Sequence, residues 1–348
     1  MNEQAAKLND RQREVVLSES PHVITLAAAA SGKTATLVTR LRYLLSQGAD
    51  PSKIVVITFT NMAAEEIYDR VGHLQGLFIG TIHSYANQLL LAAGIPTRET
   101  LDEEDFDTLF ELVRDNPQCI KPVEHLLLDE AQDTNELEFE FILDMVHPTN
   151  YMFFGDARQC IFQFKGSRPD ILVGLAQDPD VKTYHLVQNY RNGSSILNFA
   201  RRIIARNGPD YIDDSIPMRD TTGRVLEQDY SNRRIIELIQ NDHHYGDWFV
   251  LSRTNAQLDY IYDALQTASI PCDTFKKAQL NTTELNQKMN ENTVKVLTIH
   301  TAKGLEAPKV IVTDARFWNE EERCVSYVAA TRARDTLIWM QAPRRRRF

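Results

Sequence analysis

The residues of this chain best suited to chemistry are Gly32-Lys33-Thr34 and, far downstream, Asp129-Glu130. The stretch "TLAAAASGKTATL", residues 25–37, sets an apolar run before "SGKT" and a helical pattern after it. In that arrangement the backbone N–H groups around Ser31 and Gly32 cradle phosphates, Lys33 reaches their outer oxygens, and the Thr34 hydroxyl holds Mg²⁺. The strict pattern G-x-x-x-x-G-K-[ST] fails at its first position, which is Ala27. "LLLDEAQD", residues 126–133, ends an apolar run in two adjacent acids. One suits Mg²⁺ and the other can polarise a water for attack on a γ-phosphate, so loop and acids together point to an ATP- or GTP-hydrolysing site. Alone, "SGKT" could merely cap a helix and "DE" could be a solvated strand end.

Those residues need strands that end at one edge and a helix that starts there. The runs at 22–26, 53–59, 125–129, 151–156, 247–252, 294–299 and 309–314 are short, apolar and bounded by polar or turn residues. Between them lie helical patterns such as 33–47, stopped by Gly48, and 254–268. Nearly continuous apolar strands alternating with helices predict an α/β fold with parallel sheets flanked by helices. No internal repeat is evident, and 207–246, rich in Asp, Asn, Gly and Pro, reads as an irregular excursion.

At 348 residues, 43% hydrophobic and 25% charged, the chain can fill two cores. No apolar run approaches the roughly 18–20 residues of a membrane span, and the opening residues are too polar for a signal peptide, so a cytoplasmic place is expected. Cys119, Cys160, Cys272 and Cys324 are scattered, which indicates neither a zinc site nor a disulfide framework. The net charge of -10 is concentrated in residues 95–145, where 16 Asp and Glu face only Arg98, Arg114 and Lys121. "DEEDFDTLFELVRD" in that segment has the apolar spacing of an amphipathic helix. The basic run 344–347 suits phosphate contact or a solubilising tail equally.

Read in order, further motifs resemble the UvrD/Rep-like superfamily 1 DNA helicases along nearly the whole chain. "LNDRQREVV" looks like the family's opening motif, "VITFTNMAAEEIYDRV" is similar to "TFTNKAAxEMxxRV", and "GTIHSYANQLL" to "GTFHS". "GDARQCIFQFKGS", "VQNYRNGSSILNFA", "VLSRTNAQ", "VLTIHTAKGLEA" and "EERCVSYVAATRARDTLIW" follow in the family's sequence of elements. The resemblance implies two RecA-like P-loop domains, residues 1–180, with a small acidic helical insertion near 95–125, and residues 181–348. It implies ATP and Mg²⁺ as cofactors, with Thr34 and Asp129 on the metal. Gln12 and Tyr190 would meet the base and Glu306 the ribose, with Gly304 beside it in the same motif. Glu130 and Gln159 would serve hydrolysis, and Arg191 and Arg332 would stabilise charge on the transferring phosphoryl. Single-stranded DNA would lie along Phe59, Thr60, Asn61, Thr81, His83, Phe164 and His300, with Phe162 more suited to the core.

The departures from the family are Ala28 and Ala30 for glycine, Ala35 for arginine, Met62 for lysine, Arg158 for aspartate and Ala307 for phenylalanine. Alanine at 28 or 30 is strained if the backbone there takes positive φ. The function implied is an ATP-dependent 3′–5′ translocase on single-stranded DNA. Alternatives are a catalytically weakened DNA-binding or regulatory subunit of a repair or nuclease assembly, and a P-loop phosphotransferase on a small molecule. Large insertions that full-size relatives carry have no room here: Ser84 to Leu128 is 45 residues and Gln257 to Val294 is 38. Weak unwinding by the chain alone, helped by a protein partner, follows from that.

Overall fold

The computed structural model describes residues 8–98, 100, 106–275, 287–315 and 317–341, and the chain divides into two compact units after Val187. The run 344–347 lies outside the described residues.

The first unit runs α1 (Asp10–Val16), β1 (His22–Ala27), α2 (Lys33–Ser46), β2 (Ile54–Ile57), α3 (Asn61–Val71), β3 (Phe78–Gly80) and α4 (Ile82–Ala92). It continues through α5 (Asp107–Asp115), β4 (His125–Leu128), α6 (Glu136–Glu140), β5 (Asn150–Gly155), α7 (Pro169–Gln177) and β6 (Lys182–Leu186). Its six strands pair in the order β3-β2-β4-β5-β1-β6, all parallel. Because side chains alternate along a strand, each strand feeds two cores. Val55, Ile57, Leu126, Leu128 and Phe153 face α4, α5 and α7. Val56, Leu127, Met152 and Phe154 face α2 and α3. The mainly apolar central strands thus follow from coverage on both faces. Residues 107–115 of the acidic segment form α5, with Leu109, Phe110 and Val113 buried and Asp107, Glu111, Arg114 and Asp115 exposed. β6, beyond the boundary expected at 180, is an edge strand of this sheet, paired to β1 from Lys182 to Leu186.

The second unit begins with β7 (Gln188–Asn189), α8 (Ser194–Ile204), β8 (Ile216–Pro217), β9 (Arg224–Asp229), α9 (Asn232–Gln240) and β10 (Trp248–Ser252). After these come α10 (Asn255–Thr267), β11 (Cys272–Thr274), β12 (Val294–Thr298), β13 (Ala307–Val312), α11 (Glu320–Ala330) and β14 (Ala333–Gln341). Its parallel sheet has the order β11-β12-β10-β13-β14-β9, with β7 and β8 a separate ribbon. The irregular reading of 207–246 is interrupted by the two-residue β8 and ends at Gly223. Beyond it, β9 pairs with β14 from Arg224 to Asp229, and α9 buries Ile235 and Ile239 against β10 and β12. The polar faces of both elements hid them: β9 is an edge strand, and α9 carries Asn232, Arg233, Arg234, Glu237 and Gln240 around its two buried isoleucines.

Candidate functional site

β1 ends at Ala27, and residues 28–32 turn the chain into α2. The turn is tied down by Ala28 N–H to the Leu186 carbonyl at 2.9 Å and Ser31 N–H to the Ala28 carbonyl at 3.2 Å. Ala30 takes φ 57 and Gly32 φ 82, so of the two alanines that replace glycine only Ala30 occupies the left-handed region. Gly32 is further constrained: a Cβ there would stand 2.5 Å from Gln12 Nε2. Gln12 is buried, accepts from Asn9 N–H and donates to the Ser31 carbonyl at 2.9 Å, so its amide forms a wall of the loop.

Two observations fit this loop to a phosphate. α2 has no side-chain cap, leaving its first N–H groups to an outside acceptor, and the buried Ser31 hydroxyl has no hydrogen-bond partner. Lys33 Nζ lies 3.1 Å from Glu130 Oε2, and the Thr34 hydroxyl donates to Asp129 Oδ2 at 3.2 Å. β4 aims both acids at the loop: Asp129 N–H still bonds to the Ile57 carbonyl, while Glu130 turns into the left-handed region at φ 54. Burial pushes the Asp129 carboxyl above the usual carboxylate range, and neighbouring Glu130 adds to this against the pull of Lys33. Burial works against the Lys33 ammonium, but Glu130, Asp129 and Asp156 outweigh it and raise its pKa. The site is thus a buried patch of net negative charge, which a divalent cation would relieve. One carboxylate and one hydroxyl, completed by phosphate oxygens and water, suit Mg²⁺.

Gln159 donates to Asp156 Oδ2 at 2.8 Å, and Arg158 pairs with the same carboxylate at 2.7 Å. Gln132, quoted in the acidic motif but given no role from sequence, connects this group to the acids. Its amide donates to Glu130 and accepts from Asp156 N–H at 2.9 Å. The signal for it was its place two residues after Glu130 in the same strand-end motif.

A cleft beside the acids is lined by Phe59, Thr81, His83, Asp129, Glu130 and Glu138. Thr60 caps α3 and Thr81 caps α4, each accepting an N–H at 3.2 Å, and exposed Asn61 opens α3. His83 is half-buried, with ring centroids 5.2 Å from those of Phe106 and Phe110, and burial pushes its pKa down. Phe59 and Phe162 pack at 4.8 Å, and Phe164 lies 6.1 Å from Phe162. Phe162 is 4% exposed and Phe164 60%, so the first is core and the second presents an exposed aromatic ring.

In the second unit, exposed Tyr190 precedes Arg191, whose guanidinium pairs with Glu306 and donates to the Thr331 carbonyl at 3.3 Å. Arg332 is 2% exposed and donates to the carbonyls of Val328 at 3.0 Å and Leu305 at 3.2 Å. Gly304 turns the chain at φ 87 just before Glu306. His300 follows Thr298, whose hydroxyl accepts Thr301 N–H at 3.2 Å. Asn192 was not singled out from sequence, yet its amide reaches the carbonyls of Thr331 at 3.0 Å and Ala333 at 2.6 Å and ties the two arginine loops together.

Two parallel α/β units, the first bearing a glycine-lysine-threonine loop against paired strand-end acids, define a P-loop protein of the RecA-like kind. The UvrD/REP helicase N-terminal domain matches residues 8–118 and 105–180, and the UvrD-like helicase C-terminal domain matches 184–285 and 273–342. The chain belongs to the UvrD/REP helicase family. It is 27% identical over 364 residues to DNA helicase II of Escherichia coli (strain K12), a match covering 76% of the chain and 51% of that protein. A probable DNA helicase II homolog of Mycoplasma capricolum is 25% identical over 374 residues, covering 76% and 51%. ATP-dependent DNA helicase PcrA of Staphylococcus epidermidis is 24% identical over 372 residues, covering 78% and 51%. The chain spans about half the length of the curated relatives it matches. No helix among the described residues is long and apolar enough to cross a membrane.

Proposed function

We propose that this chain is a single-stranded-DNA-stimulated ATPase that moves along one strand, 3′ to 5′ as its family resemblance implies. The observation that carries the reading is the cluster at the uncapped start of α2, where Lys33, Thr34, Asp129 and Glu130 converge beside the unpartnered Ser31 hydroxyl. In this reading Ser31, Gly32 and Lys33 bind the phosphates, Thr34 and Asp129 hold Mg²⁺, and Glu130 orients the attacking water with Gln159 nearby. Gln12 and Tyr190 border the base, Gly304 leads the chain to Glu306 at the ribose, and Arg191 and Arg332 neutralise charge developing on the phosphoryl group. Glu130 would then exchange its bond to Lys33 for one to water once phosphate oxygens occupy the ammonium.

Phe59, Thr60, Asn61, Thr81, His83, Phe164 and His300 form the strand surface in this reading. The cleft that joins Phe59, Thr81 and His83 to Asp129 and Glu130 supports direct coupling between strand and hydrolysis. The short acidic α5 in place of a large insertion supports poor unwinding without a protein partner, since splitting stacked pairs costs about 1.4 kcal/mol per step. Ala30 at φ 57 favours a second reading, a DNA-binding or regulatory subunit with weak hydrolysis. ATP turnover measured with and without an oligonucleotide decides between them. Turnover rising severalfold with DNA supports the motor, and none under either condition removes it.

A further inference from the structure

Arg219 belongs to no motif and sits in the stretch whose sequence reads as irregular, yet its guanidinium is spent on the two loops that carry Arg191 and Arg332. Nη1 donates to the Arg191 carbonyl at 2.8 Å and to the Arg334 carbonyl at 3.0 Å. Nη2 reaches Asp335 Oδ1 at 2.8 Å, which fixes the fork's orientation. The backbone around it is clamped to the same loop. Met218 N–H bonds to the Asn189 carbonyl at 2.8 Å, and Ser195 N–H to the Thr222 carbonyl at 2.7 Å. Gly193 and Gly223 pass so close that a Cβ on Gly193 would stand 2.6 Å from Gly223 N.

The acceptors surround Arg332 in sequence. Asn192 holds the carbonyls of Thr331 and Ala333, and Arg219 holds that of Arg334, which also accepts Gly193 N–H at 3.0 Å. On the other side, fixing the Arg191 carbonyl constrains the backbone from which that side chain projects. We propose that Arg219 is a positioning residue for ATP hydrolysis: it locks the Arg191 loop to the Arg332 loop, so that both guanidiniums are presented in one fixed spacing. The inference rests on the reading of Arg191 as a charge stabiliser. Hydrogen bonds from one planar fork to two carbonyls and a carboxylate do this in a way that a lysine point charge does not.

The test is steady-state ATP hydrolysis, with single-stranded DNA, by the full chain carrying Arg219→Ala, Arg219→Lys, Arg191→Ala, and Arg191→Ala with Arg219→Ala. Because small misplacements of a catalytic group are costly, Arg219→Ala should lower kcat about 10-fold or more with KM changed less than about 3-fold. Arg219→Lys should recover only part of that loss. If Arg219 acts through Arg191, the double variant should fall within about 2-fold of Arg191→Ala alone. Asp335→Ala, which frees the fork while leaving both carbonyls, should lower kcat by about 3-fold and serves if Arg219→Ala does not fold. The inference is overturned if Arg219→Ala folds and keeps its kcat, if its effect falls on KM or melting temperature alone, or if the two losses multiply. Should Arg219→Ala not fold, an unchanged kcat in Asp335→Ala overturns it. Arg191→Ala with unchanged turnover removes instead the reading on which it rests.

Discussion

The two units build matching turns from similar residues, and only the first carries the uncapped loop proposed above to bind phosphate. In the first, Thr58 Oγ1 donates to the Thr60 carbonyl at 2.9 Å and Thr60 caps the helix opened by Asn61. In the second, Ser252 Oγ donates to the Thr254 carbonyl at 3.1 Å and Thr254 caps the helix opened by Asn255. "TIHS" at 81–84 follows the strand beside that turn, and "TIHT" at 298–301 does the same, each threonine accepting the N–H three residues on at 3.2 Å. Asp129 N–H reaches the Ile57 carbonyl at 2.9 Å and Thr313 N–H the Leu251 carbonyl at 2.8 Å. The residues that follow, Glu130 and Asp314, both sit at φ 54. The chain therefore does contain an internal repeat, contrary to the sequence reading.

The difference lies in what occupies the repeated positions. Where the first unit has the buried carboxylate of Asp129, the second has Thr313, whose hydroxyl donates back to the Leu251 carbonyl at 3.1 Å. Where α2 starts uncapped at Gly32, α9 starts at Ser231, whose side chain accepts from Arg234 N–H. A fold of this kind offers a helix N-terminus at a strand edge in every copy. It becomes a phosphate site only where the cap is withheld and a lysine and a carboxylate are added. The second unit closes that position and carries arginines instead.

Removing Lys33 is the most damaging way to test that asymmetry. Lys33→Ala deletes the cation at the outer phosphates and should lower kcat for ATP by about 10²–10³-fold or more. Ser231→Ala, at the matching helix start, should cost only about 1 kcal/mol of stability, read as a lower melting temperature. Equal losses of turnover in the two variants would abolish the distinction between the units.

Buried carboxylates give the next contrast. Glu138 in the first unit accepts Asn135 N–H and lies 3.7 Å from the half-buried His83 ring, whose pKa burial lowers, whereas Glu322 in the second is held by Arg253 through both oxygens at 2.9–3.1 Å. Burial, with Asp107 and Asp133 nearby, pushes the Glu138 carboxyl up to about 7 from an ordinary value of 4.5. A carboxyl raised on folding binds its proton more tightly in the native state, so stability falls as pH climbs from 4.5 towards 7 and is level above. Glu138→Gln keeps an acceptor and removes the charge, and at pH 8 it should stabilise by at most about 3 kcal/mol. Glu322→Gln strands Arg253 and should destabilise. Melting curves at pH 5 and pH 8 check both, and a Glu138→Gln protein no more stable at pH 8 than the parent would show that carboxyl to be solvated.

Phe164 has a smaller expected effect, confined to the strand surface. Its ring is exposed, so Phe164→Ala should leave the melting temperature in place and weaken single-strand binding by about 1–3 kcal/mol, roughly 5- to 150-fold. Fluorescence anisotropy with a labelled oligonucleotide reads it directly. Binding at parental strength would move the strand off this surface.

How much of this was legible in the sequence depends on how each feature is encoded. Lys33, Thr34, Asp129 and Glu130 were readable because phosphate chemistry admits few residue types at fixed spacing. The strands β1, β2, β4, β5, β10, β12 and β13 were readable because burial on both faces keeps their runs mainly apolar, with exceptions such as the buried Lys295 in β12. The edge strand β9 and the short β3 lack that signature. Arg219 was invisible because a donor to backbone carbonyls needs a position in space and leaves no pattern. The repeat was hidden because its shared residues lie in tight turns, two to four at a time, while the intervening strands and helices diverged.

The smallest effect concerns the loop that the second unit lacks altogether. Ala28 and Ala30 both stand where the family resemblance implies glycine, but only Ala30 has the backbone that glycine suits. Holding alanine in the left-handed region costs roughly 1–2 kcal/mol, and glycine would return part of this as extra freedom in the unfolded chain, up to about 1 kcal/mol. Ala30→Gly should therefore stabilise by no more than about 1 kcal/mol. Ala28 is 2% exposed, and its N–H is already bonded to the Leu186 carbonyl. Glycine there relieves no strain, removes a buried methyl and loosens the unfolded chain, so Ala28→Gly should destabilise by about 0.5–1 kcal/mol. ATP affinity follows a separate logic. If the loop keeps its φ at position 30 when phosphate binds, the strain is common to both states and cancels, and the dissociation constant changes by less than about threefold. Calorimetric melting of the two variants, with and without a non-hydrolysable ATP analogue, separates these terms. Shifts of the same sign in both would overturn the backbone assignment at Ala30, and a tenfold gain in affinity for Ala30→Gly would show that the loop must rearrange to receive its nucleotide.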